Sequence, residues 1–434
     1  MVSAHDTLRN ECAYAVMRGV AQLEADTPTT FKDAMGSNHK TEWLKATQKE
    51  YDTAVSMGTW KVISRNSLPS GANVISVKWV FKRKHDAAGI PTEFKARMTP
   101  HGYKQIEGVD YYETYAQVGK YKTLRLLLAI TAQCDLELEQ LDVPSAFLNA
   151  ELEEDIYMEL PEGFEQPGKV VKLLKALYGL KQGPRCWWLL ISGFIKDTMG
   201  YTECISDSCF YFRKSRTNNT MYLYLFVDDF QTAYHKNDID EWNELKKLLI
   251  DEYRTKDLGN SVWMLGMRIT RDRNKRTIIL DQETYITKAL EKFEMSECKI
   301  ASTPEQLNAS ITTDTDNNLD TPTDQHLFMQ IAGTLLYGGS STRLDIAHAT
   351  QSLCTRVHSP VQRDMVAAKR VLRYLAGTKS IGLMFDGNAV PYGSGVTIES
   401  YCDADWANDR DDRKSISGWI VTVNKTAIAW SSKK

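Results

Sequence analysis

Met221-Tyr222-Leu223-Tyr224-Leu225 runs directly into Phe226-Val227-Asp228-Asp229-Phe230, and this stretch decides the fold. The apolar and aromatic run is typical of a packed strand, and the two acids at its end predict a hairpin tip that carries neighbouring carboxylates. Adjacent carboxylates repel each other, so a protein tolerates them in solvent or around a cation. Asp is also an ordinary turn residue. Alone, the pair is compatible with a plain turn or with a metal site.

A second acid strengthens the metal interpretation. Leu136–Val143 is predicted to be a strand in which Leu136, Leu138 and Asp142 share a side, and burying an acid there is costly unless a cation or a donor meets it. The turn 179–183 then leads into Pro184, a favoured first residue of a helix. A strand acid, a glycine-bounded helix entry and an Asp-Asp hairpin, in that order, are more specific together than any one of them. Carboxylates on two rigid strands suit a pair of Mg²⁺ ions.

The charge distribution is uneven although the totals are ordinary. The 434 residues carry a net charge of −3, with 42% hydrophobic and 25% charged residues, as in typical soluble globular proteins. The segment from Lys61 to Gln105 has a net charge of +7, whereas the segment from Asp135 to Glu165 holds eleven acids and no Lys or Arg. This order suits a polyanion held over a cation-binding centre. Solvated charged faces would give the same pattern, so both interpretations stand.

The cysteines and the hydropathy indicate an intracellular, soluble protein. Eight cysteines are scattered without a C-x-x-C pair, which is typical of reduced thiols. A signal peptide and an apolar run of transmembrane length are both lacking, so we expect no membrane partner.

Periodicity and turn residues predict the following elements. Helices are expected around 43–55, from Thr123, from Pro184 to Gly200, and at 241–253, 283–293, 324–338, 343–357 and 361–376. Strands are expected at 74–83, 93–99, 136–143, 262–270, 276–280, 382–385, 397–403, 418–424 and 427–430, besides the 221–234 hairpin. Alternation sets Lys78, Lys82 and Lys84 on one face of the first strand.

Further motifs follow one another in order along the chain. They are Gly58-Thr59-Trp60, Lys78-Trp79-Val80-Phe81-Lys82, Lys95-Ala96-Arg97, Gly108-Val109-Asp110-Tyr111, Leu141-Asp142-Val143, Ala146-Phe147-Leu148, Leu177-Tyr178-Gly179-Leu180-Lys181-Gln182, Val227-Asp228-Asp229, Lys256-Asp257-Leu258-Gly259, Gly333-Thr334-Leu335-Leu336-Tyr337, the 369–378 run and Asp403-Ala404-Asp405-Trp406. From about Trp43 onward the chain therefore resembles the reverse transcriptase of copia-type LTR retrotransposons.

The resemblance implies an α+β right-hand polymerase of fingers, palm and thumb with an antiparallel palm sheet. The expected division is a helical lead-in at 1–58, fingers and palm at 59–281, thumb and connection helices at 282–380 with a polar linker at 300–323, and a partial RNase H-like domain at 381–434. Asp142, Asp228 and Asp229 match the family's metal-binding triad, with the Val143 carbonyl as an extra ligand for two Mg²⁺ (or Mn²⁺) ions. Alternation favours Asp228 as the firmer ligand and leaves Asp229 to orient the site.

The same resemblance implies the nucleotide and primer contacts. Arg97, with Lys82 or Lys78, would hold the triphosphate, and the choice between the lysines stays open. Phe147 matches the bulky residue that excludes a ribose 2′-OH. Gln182 and Gly183 match the turn near the incoming nucleotide and template. Met264, Leu265 and Gly266 resemble the primer-grip hairpin. Lys256 suits a general acid toward pyrophosphate or a plain surface lysine in a loop.

The C-terminal part resembles the opening of an RNase H domain, with Asp403 among its acids. The domain needs further acids beyond Lys434, so we expect a truncated remnant without RNase H activity. The implied partners are an RNA template and primer, RNA–DNA hybrid, DNA and dNTPs, and the implied location is a cytoplasmic virus-like particle; the oligomeric state is left open. The alternative function is a non-catalytic remnant that only binds nucleic acid.

Overall fold

The structure is a computed structural model that describes residues 27–85, 91–306, 319–391, 395–406 and 413–434. Predictions for residues 1–26, for the turn at 86–90 and for most of the linker, 307–318, lie outside the described residues. Within these ranges, no helix has the length and apolarity needed to cross a bilayer. The mixture of helices and mainly antiparallel sheets confirms the α+β class.

The helices agree with the periodicity. They are α1 Phe31–Gly36, α2 Lys40–Ser56, α3 Tyr121–Cys134, α4 Gly183–Gly193, α5 Ile239–Tyr253, α6 Glu283–Lys292, α7 Gln325–Ser341, α8 Ala347–Cys354 and α9 Gln362–Gly377. The predicted helix from Pro184 to Gly200 continues past α4 only as a π-helical turn at Phe194–Thr198.

The strands are more numerous than the sequence patterns predict. They are β1 Trp60–Ser64, β2 Val74–Ile75, β3 Val77–His85, β4 Pro91–Pro100, β5 Glu137–Asp142, β6 Glu151–Met158, β7 Lys169–Lys175, β8 Thr202–Cys204, β9 Asp207–Lys214, β10 Thr220–Phe226, β11 Asp229–Tyr234, β12 Lys256–Asn260, β13 Trp263–Met264, β14 Met267–Asp272, β15 Thr277–Asp281, β16 Leu383–Asp386, β17 Ile398–Ala404, β18 Ser417–Val423 and β19 Thr426–Lys433.

One antiparallel sheet forms the palm, with strand order β12-β5-β11-β10-β9-β8. Strand side chains alternate between its two faces, so each face buries its own apolar set. On one face, Leu141, Leu225 and Phe230 pack with Trp187 of α4 and Trp242 of α5. The opposite face packs on α3. Asp142 and Asp229 therefore stand at the end of a sheet that is fixed from both sides.

The fingers combine the β3–β4 hairpin with a four-stranded sheet, β1-β7-β6-β2. Trp43 of α2 packs against Phe81 and Phe94 of the hairpin, with ring centroids 5.1 and 4.7 Å apart. Helices α6 to α9 enclose a separate core that includes Phe328, a helical unit of the kind expected for the thumb.

The C-terminal strands contact the palm side of the molecule. Strand β16 pairs with β15, although the sequence division assigned residues 381–434 to a separate RNase H-like part. Arg125 of α3 donates hydrogen bonds to the carbonyls of Ile428 and Ser341 and lies 3.9 Å from the ring centroid of Trp430. Burial lowers the pKa of Arg125 to about 9. The β17–β19 sheet is thus joined to α3 through a buried arginine.

Candidate active site

The tip of the β10–β11 hairpin is a two-residue turn. Phe226 pairs with Asp229, which leaves Val227 and Asp228 as the turn residues. Val227 has a φ of 59°, and a positive φ at the first turn residue alone is the pattern of a type II′ turn. A β-branched residue rarely adopts this conformation, so the turn is strained.

Hydrogen bonds from two other elements hold this turn in place. The indole Nε1 of Trp187 donates to the Val227 carbonyl at 2.6 Å, and the backbone N–H of Val143 donates to the Asp228 carbonyl at 2.9 Å. Trp187 is fully buried in α4, and Val143 follows directly after β5. The surrounding fold therefore determines where the two acids stand.

The sheet register brings the three acids together. Asp229 on β11 pairs directly with Asp142 on β5, and Asp228 precedes it in the turn. Partners directly opposite in an antiparallel pair have Cβ atoms about 5 Å apart and project from the same face. Sequence alternation favours Asp228 as the ligand that meets Asp142, whereas the register sets Asp229 opposite it.

The electrostatics of the acids show their crowding. Burial, followed by the negative charges of Asp228 and Asp142, raises the pKa of Asp229 to about 6, although a weak hydrogen bond from Gln140 at 3.4 Å opposes the shift. A divalent cation among the three carboxylates would remove this repulsion. The donor set fits Mg²⁺, which prefers hard oxygen ligands. Across the described ranges, however, no three acidic, His or Cys side chains already stand in metal-binding geometry.

Tyr178 contacts three of the neighbouring elements. Its hydroxyl donates to Asp228 Oδ2 at 2.9 Å, and its ring lies 4.3 Å from the Phe147 ring between centroids. The Arg97 guanidinium carbon lies 4.7 Å from the Tyr178 ring centroid. Burial and the charge of Asp228 raise the pKa of Tyr178. The triad acid, the predicted sugar-excluding residue and the predicted triphosphate ligand therefore meet at one side chain.

Two lysines of the fingers lie on the same face of the β3–β4 hairpin as Arg97. In the β3–β4 hairpin, Val80 pairs with Arg97 and Lys82 pairs with Lys95. Cross-strand partners share a face and alternate residues on a strand share a face, so Lys78, Lys82 and Arg97 project together. Lys78 and Lys82 are exposed on that face.

Gln182 has a structural set of hydrogen bonds. Its side chain is 1% exposed. Its Nε2 donates to the Asp110 carbonyl at 2.8 Å and to Glu154 at 3.2 Å, and its Oε1 accepts from Gln105 at 2.9 Å. These bonds tie the loop around Asp110 to the start of α4, where Gly183 is also buried. The amide has no spare hydrogen for a nucleotide in this arrangement.

The predicted strand at 262–270 is wrong as a single element, because a turn divides it into β13 and β14. Leu265 and Gly266 have φ values of 53° and 74°, the pattern of a type I′ turn. The strand pattern missed this turn because leucine is rare at positive φ, whereas the family resemblance implied a hairpin at Met264-Leu265-Gly266. The Tyr337 hydroxyl of α7 donates to the Leu265 carbonyl. Met264, the remaining predicted primer-grip residue, is buried beside this turn.

The structure also places Lys256 and Asp403. Lys256, for which the sequence leaves open a general acid or a surface lysine in a loop, lies on the strand β12 and pairs with Asp142 from the side opposite to Asp229. Its side chain is exposed. Asp403 is exposed on β17, in a sheet separate from the palm sheet, so it does not join the triad.

Sequence reasoning did not single out Tyr178 or Trp187 as functional residues. Tyr178 lies within the 177–182 motif that contributes to the family resemblance, which was the only signal for it in the sequence. For Trp187, the helical periodicity of α4 indicates burial but not the hydrogen bond to the turn at Val227 and Asp228.

Comparisons with known proteins agree on one family. A profile of the family described as "Reverse transcriptase (RNA-dependent DNA polymerase)" matches residues 57–307. The "Retrovirus-related Pol polyprotein from transposon TNT 1-94" of Nicotiana tabacum is 37% identical over 417 residues, which cover 94% of this chain and 30% of that polyprotein. The corresponding polyprotein from transposon RE1 of Arabidopsis thaliana is 33% identical, over 90% of this chain and 26% of its own length.

A shorter relative and a solved structure complete the comparison. The "Putative transposon Ty5-1 protein" of Saccharomyces cerevisiae is 31% identical, over 68% of this chain and 92% of that protein. The foamy viral protease-reverse transcriptase in complex with dsDNA has a TM-score of 0.45 and 11% identity, over 91% of this chain and 66% of that one. This chain spans less than a third of the tobacco and Arabidopsis polyproteins.

Proposed function

This chain belongs to the reverse transcriptase (RNA-dependent DNA polymerase) family of copia-type LTR retrotransposons, and from this premise we propose that it adds dNTPs to a primer on an RNA or DNA template by two-metal nucleotidyl transfer. One observation carries the proposal: the β5–β11 register joins Asp142 to Asp229, with Asp228 in the adjoining turn. RNA–DNA hybrid and DNA are the proposed macromolecular partners.

The metal ligands are proposed to be Asp142, Asp228, Asp229 and the Val143 carbonyl. When bound, two Mg²⁺ ions, or Mn²⁺ in their place, lower the pKa of the primer hydroxyl and neutralise the triphosphate and the leaving pyrophosphate. The chain's own contribution is to hold three carboxylates at the end of a rigid sheet, so that they keep the geometry needed for metal binding.

The residues around the acids are proposed to bind and select the nucleotide. Arg97 offers a planar guanidinium to phosphate oxygens, and Lys78 or Lys82 adds charge from the same face. Phe147, buried beside Tyr178, closes the space that a ribose 2′-OH would occupy. Gly183 marks the start of α4 near the nucleotide, and the buried Gln182 holds that helix start in place.

The turn at Leu265 and Gly266, with the buried Met264, is proposed to hold the primer terminus. Its support is the fixed position of the turn, because the Tyr337 hydroxyl of α7 holds the Leu265 carbonyl. Tyr121 lies between this turn and the catalytic hairpin, with ring centroids 6.5 Å from both Phe226 and Tyr337.

Primer extension on poly(rA)/oligo(dT) tests the proposal. Wild-type protein should extend the primer only with Mg²⁺ or Mn²⁺, and Asp228→Asn should not extend it at all. Asp240→Asn, the same change at an exposed acid of α5, serves as the matched control and should behave as wild type. Extension that survives Asp228→Asn would contradict the assignment. Hybrid binding without any extension by the wild type would favour the non-catalytic alternative.

RNase H activity is a separate question. Its absence remains a prediction for this chain, and an RNA-degradation assay on an RNA–DNA hybrid checks it. Clear degradation by the Asp228→Asn protein, which keeps Asp403, would prove the prediction wrong.

A further inference from the structure

Tyr178 stands where the fingers meet the palm. It belongs to the connection between β7 and α4, and its neighbour Gly179 has a φ of 111°. A Cβ at Gly179 would come within 2.6 Å of the Pro100 carbonyl oxygen at the end of β4. Only glycine fits this close approach, so the backbone beside Tyr178 is held against the fingers strand that carries Arg97.

We propose that Tyr178 is a positioning residue of the polymerase site: its hydroxyl orients the Asp228 carboxylate for metal binding, and its ring seats Arg97 and Phe147 for nucleotide binding. The proposal rests on the proposed function. In this proposal Tyr178 itself contacts neither the metal ions nor the nucleotide. It sets the geometry of Asp228, which binds the metal, and of Arg97 and Phe147, which bind the nucleotide.

The hydroxyl is suited to orient Asp228. A hydrogen bond from a neutral hydroxyl to a carboxylate is charge-assisted and restricts the rotation of the carboxylate. It uses Oδ2 at 2.9 Å, and a carboxylate can ligate a cation through its second oxygen. Hydrogen-bond partners of this kind fix metal ligands in the conformation that binds.

The ring is suited to seat the two nucleotide-binding residues. Arg97 lies over the ring at 4.7 Å, within the range of a cation–π contact, and such a contact leaves the N–H groups at the guanidinium edge available to phosphate. Phe147 meets the ring at 4.3 Å and 57°, so Tyr178 limits the rotamers that Phe147 can adopt. A phenylalanine at position 178 would keep both ring contacts and lose only the bond to Asp228.

Two substitutions at Tyr178 separate the two roles, and one elsewhere serves as a control. Tyr178→Phe removes the hydroxyl, and Tyr178→Leu removes the ring as well. Tyr234→Phe removes a tyrosine hydroxyl that donates to a carboxylate of the same palm sheet, Glu139, at 2.6 Å. Glu139 keeps two other donors, so this control tests the loss of a buried tyrosine–carboxylate bond away from the triad.

Three readouts are compared. Binding of MnCl₂ to the metal-free protein is followed by electron paramagnetic resonance, which needs no polymerase activity. The KM for dTTP and the ratio of ribo- to deoxynucleotide incorporation are measured at saturating Mg²⁺. Tyr178→Phe should weaken Mn²⁺ binding about tenfold and leave the KM and the ratio unchanged. Tyr178→Leu should weaken Mn²⁺ binding, raise the KM and raise the ribonucleotide ratio, whereas Tyr234→Phe should match wild type in all three.

Wild-type Mn²⁺ affinity in Tyr178→Phe would overturn the role of the hydroxyl. A wild-type KM and a wild-type ribonucleotide ratio in folded Tyr178→Leu would overturn the role of the ring. If Tyr178→Leu does not fold, Tyr178→Met, which also replaces the ring by an apolar side chain, takes its place. Failure of the proposed function has a different signature, because wild-type protein would then not extend a primer while the Mn²⁺ comparison between wild type and Tyr178→Phe could still be made.

Discussion

Two carboxylates on the palm sheet, Glu139 and Asp229, have opposite surroundings. Glu139 lies on β5, three positions before Asp142, the β5 residue that pairs with Asp229 of β11. Glu139 accepts hydrogen bonds from Tyr234, Trp242 and Lys246 at 2.6, 2.8 and 2.9 Å. Burial alone would raise the pKa of Glu139, but these donors outweigh it and lower the pKa. Glu139 is an acid with a structural role.

The triad at the end of the same strands has the opposite surroundings: neighbouring negative charges in place of strong hydrogen-bond donors. Asp229 has two acids beside it and one distant amide donor, and burial with these charges raises its pKa to about 6. One sheet therefore holds a satisfied acid and a crowded one within a few residues. The difference teaches that the crowding is local to the hairpin end of the sheet, as expected for the proposed metal site, where function is served at a cost in stability.

Removing the cation beside Glu139 should have the largest effect on stability. Lys246 bridges Glu139 and Asp257 at 2.9 and 2.8 Å and is largely buried. Lys246→Met should lower the free energy of unfolding by about 2–3 kcal/mol, because Glu139 keeps its charge without its cation. Urea denaturation measures the loss. Lys247→Met, one residue further on the exposed face of α5, is the control and should change the free energy of unfolding little. An equal loss in this control would contradict a special role for the Lys246–Glu139 ion pair.

A side chain beside the triad should control the selection of the nucleotide sugar. Phe147→Val opens the space against Tyr178, so the ratio of kcat/KM for ribo- over deoxynucleotides should rise about tenfold, which is the size of effect that a small change in pocket volume produces. Leu148→Val alters the neighbouring buried residue, which packs in the fingers core, and should leave the ratio unchanged. An unchanged ratio in Phe147→Val would remove this residue from sugar selection.

Neutralising the crowded acid should change the stability in the direction opposite to the loss at Lys246. The pKa of Asp229 is 3.8 unfolded and about 6 folded, so the folded protein holds the proton more tightly. Wild-type stability without metal should therefore fall as pH rises between these values, and the deficit should persist above about pH 6. Asp229→Asn lacks this deficit.

Thermal melts in EDTA measure this difference. Asp229→Asn should melt above wild type at about pH 7.5, and the gap should shrink toward about pH 4.5. Asp251→Asn, an exposed acid of α5, should show no such gap. A variant that melts below wild type at the higher pH would mean that the Asp229 charge is stabilising.

Much of the site was predictable from the sequence because its parts are local. Asp142 ends a strand, Asp229 begins one and Asp228 lies in the turn just before it, and the 221–234 hairpin is confirmed at β10 and β11. The register is not local. It depends on which residues pair across β5 and β11, and it sets Asp229 opposite Asp142 although strand alternation alone favoured Asp228.

The contacts of Tyr178 could not be predicted for the same reason. They join segments on either side of it, and its hydroxyl reaches an acid fifty residues later in the chain. The strand at 262–270 was mispredicted because no residue pattern announces a leucine at positive φ, which a tyrosine from α7 supports. Strand β7 of the fingers pairs with β1, a contact between segments more than a hundred residues apart, and the sequence patterns did not predict either strand.

The most direct test of the account compares the same chemical change at the two kinds of acid on one strand. Asp142→Asn and Glu139→Gln each replace a β5 carboxylate by its amide, and Mg²⁺-dependent primer extension is measured together with urea denaturation. We predict that Asp142→Asn abolishes extension without loss of stability, whereas Glu139→Gln extends the primer but unfolds at lower urea. Extension by Asp142→Asn, or its loss in a folded Glu139→Gln, would contradict the division of the palm sheet into a catalytic end and a structural part.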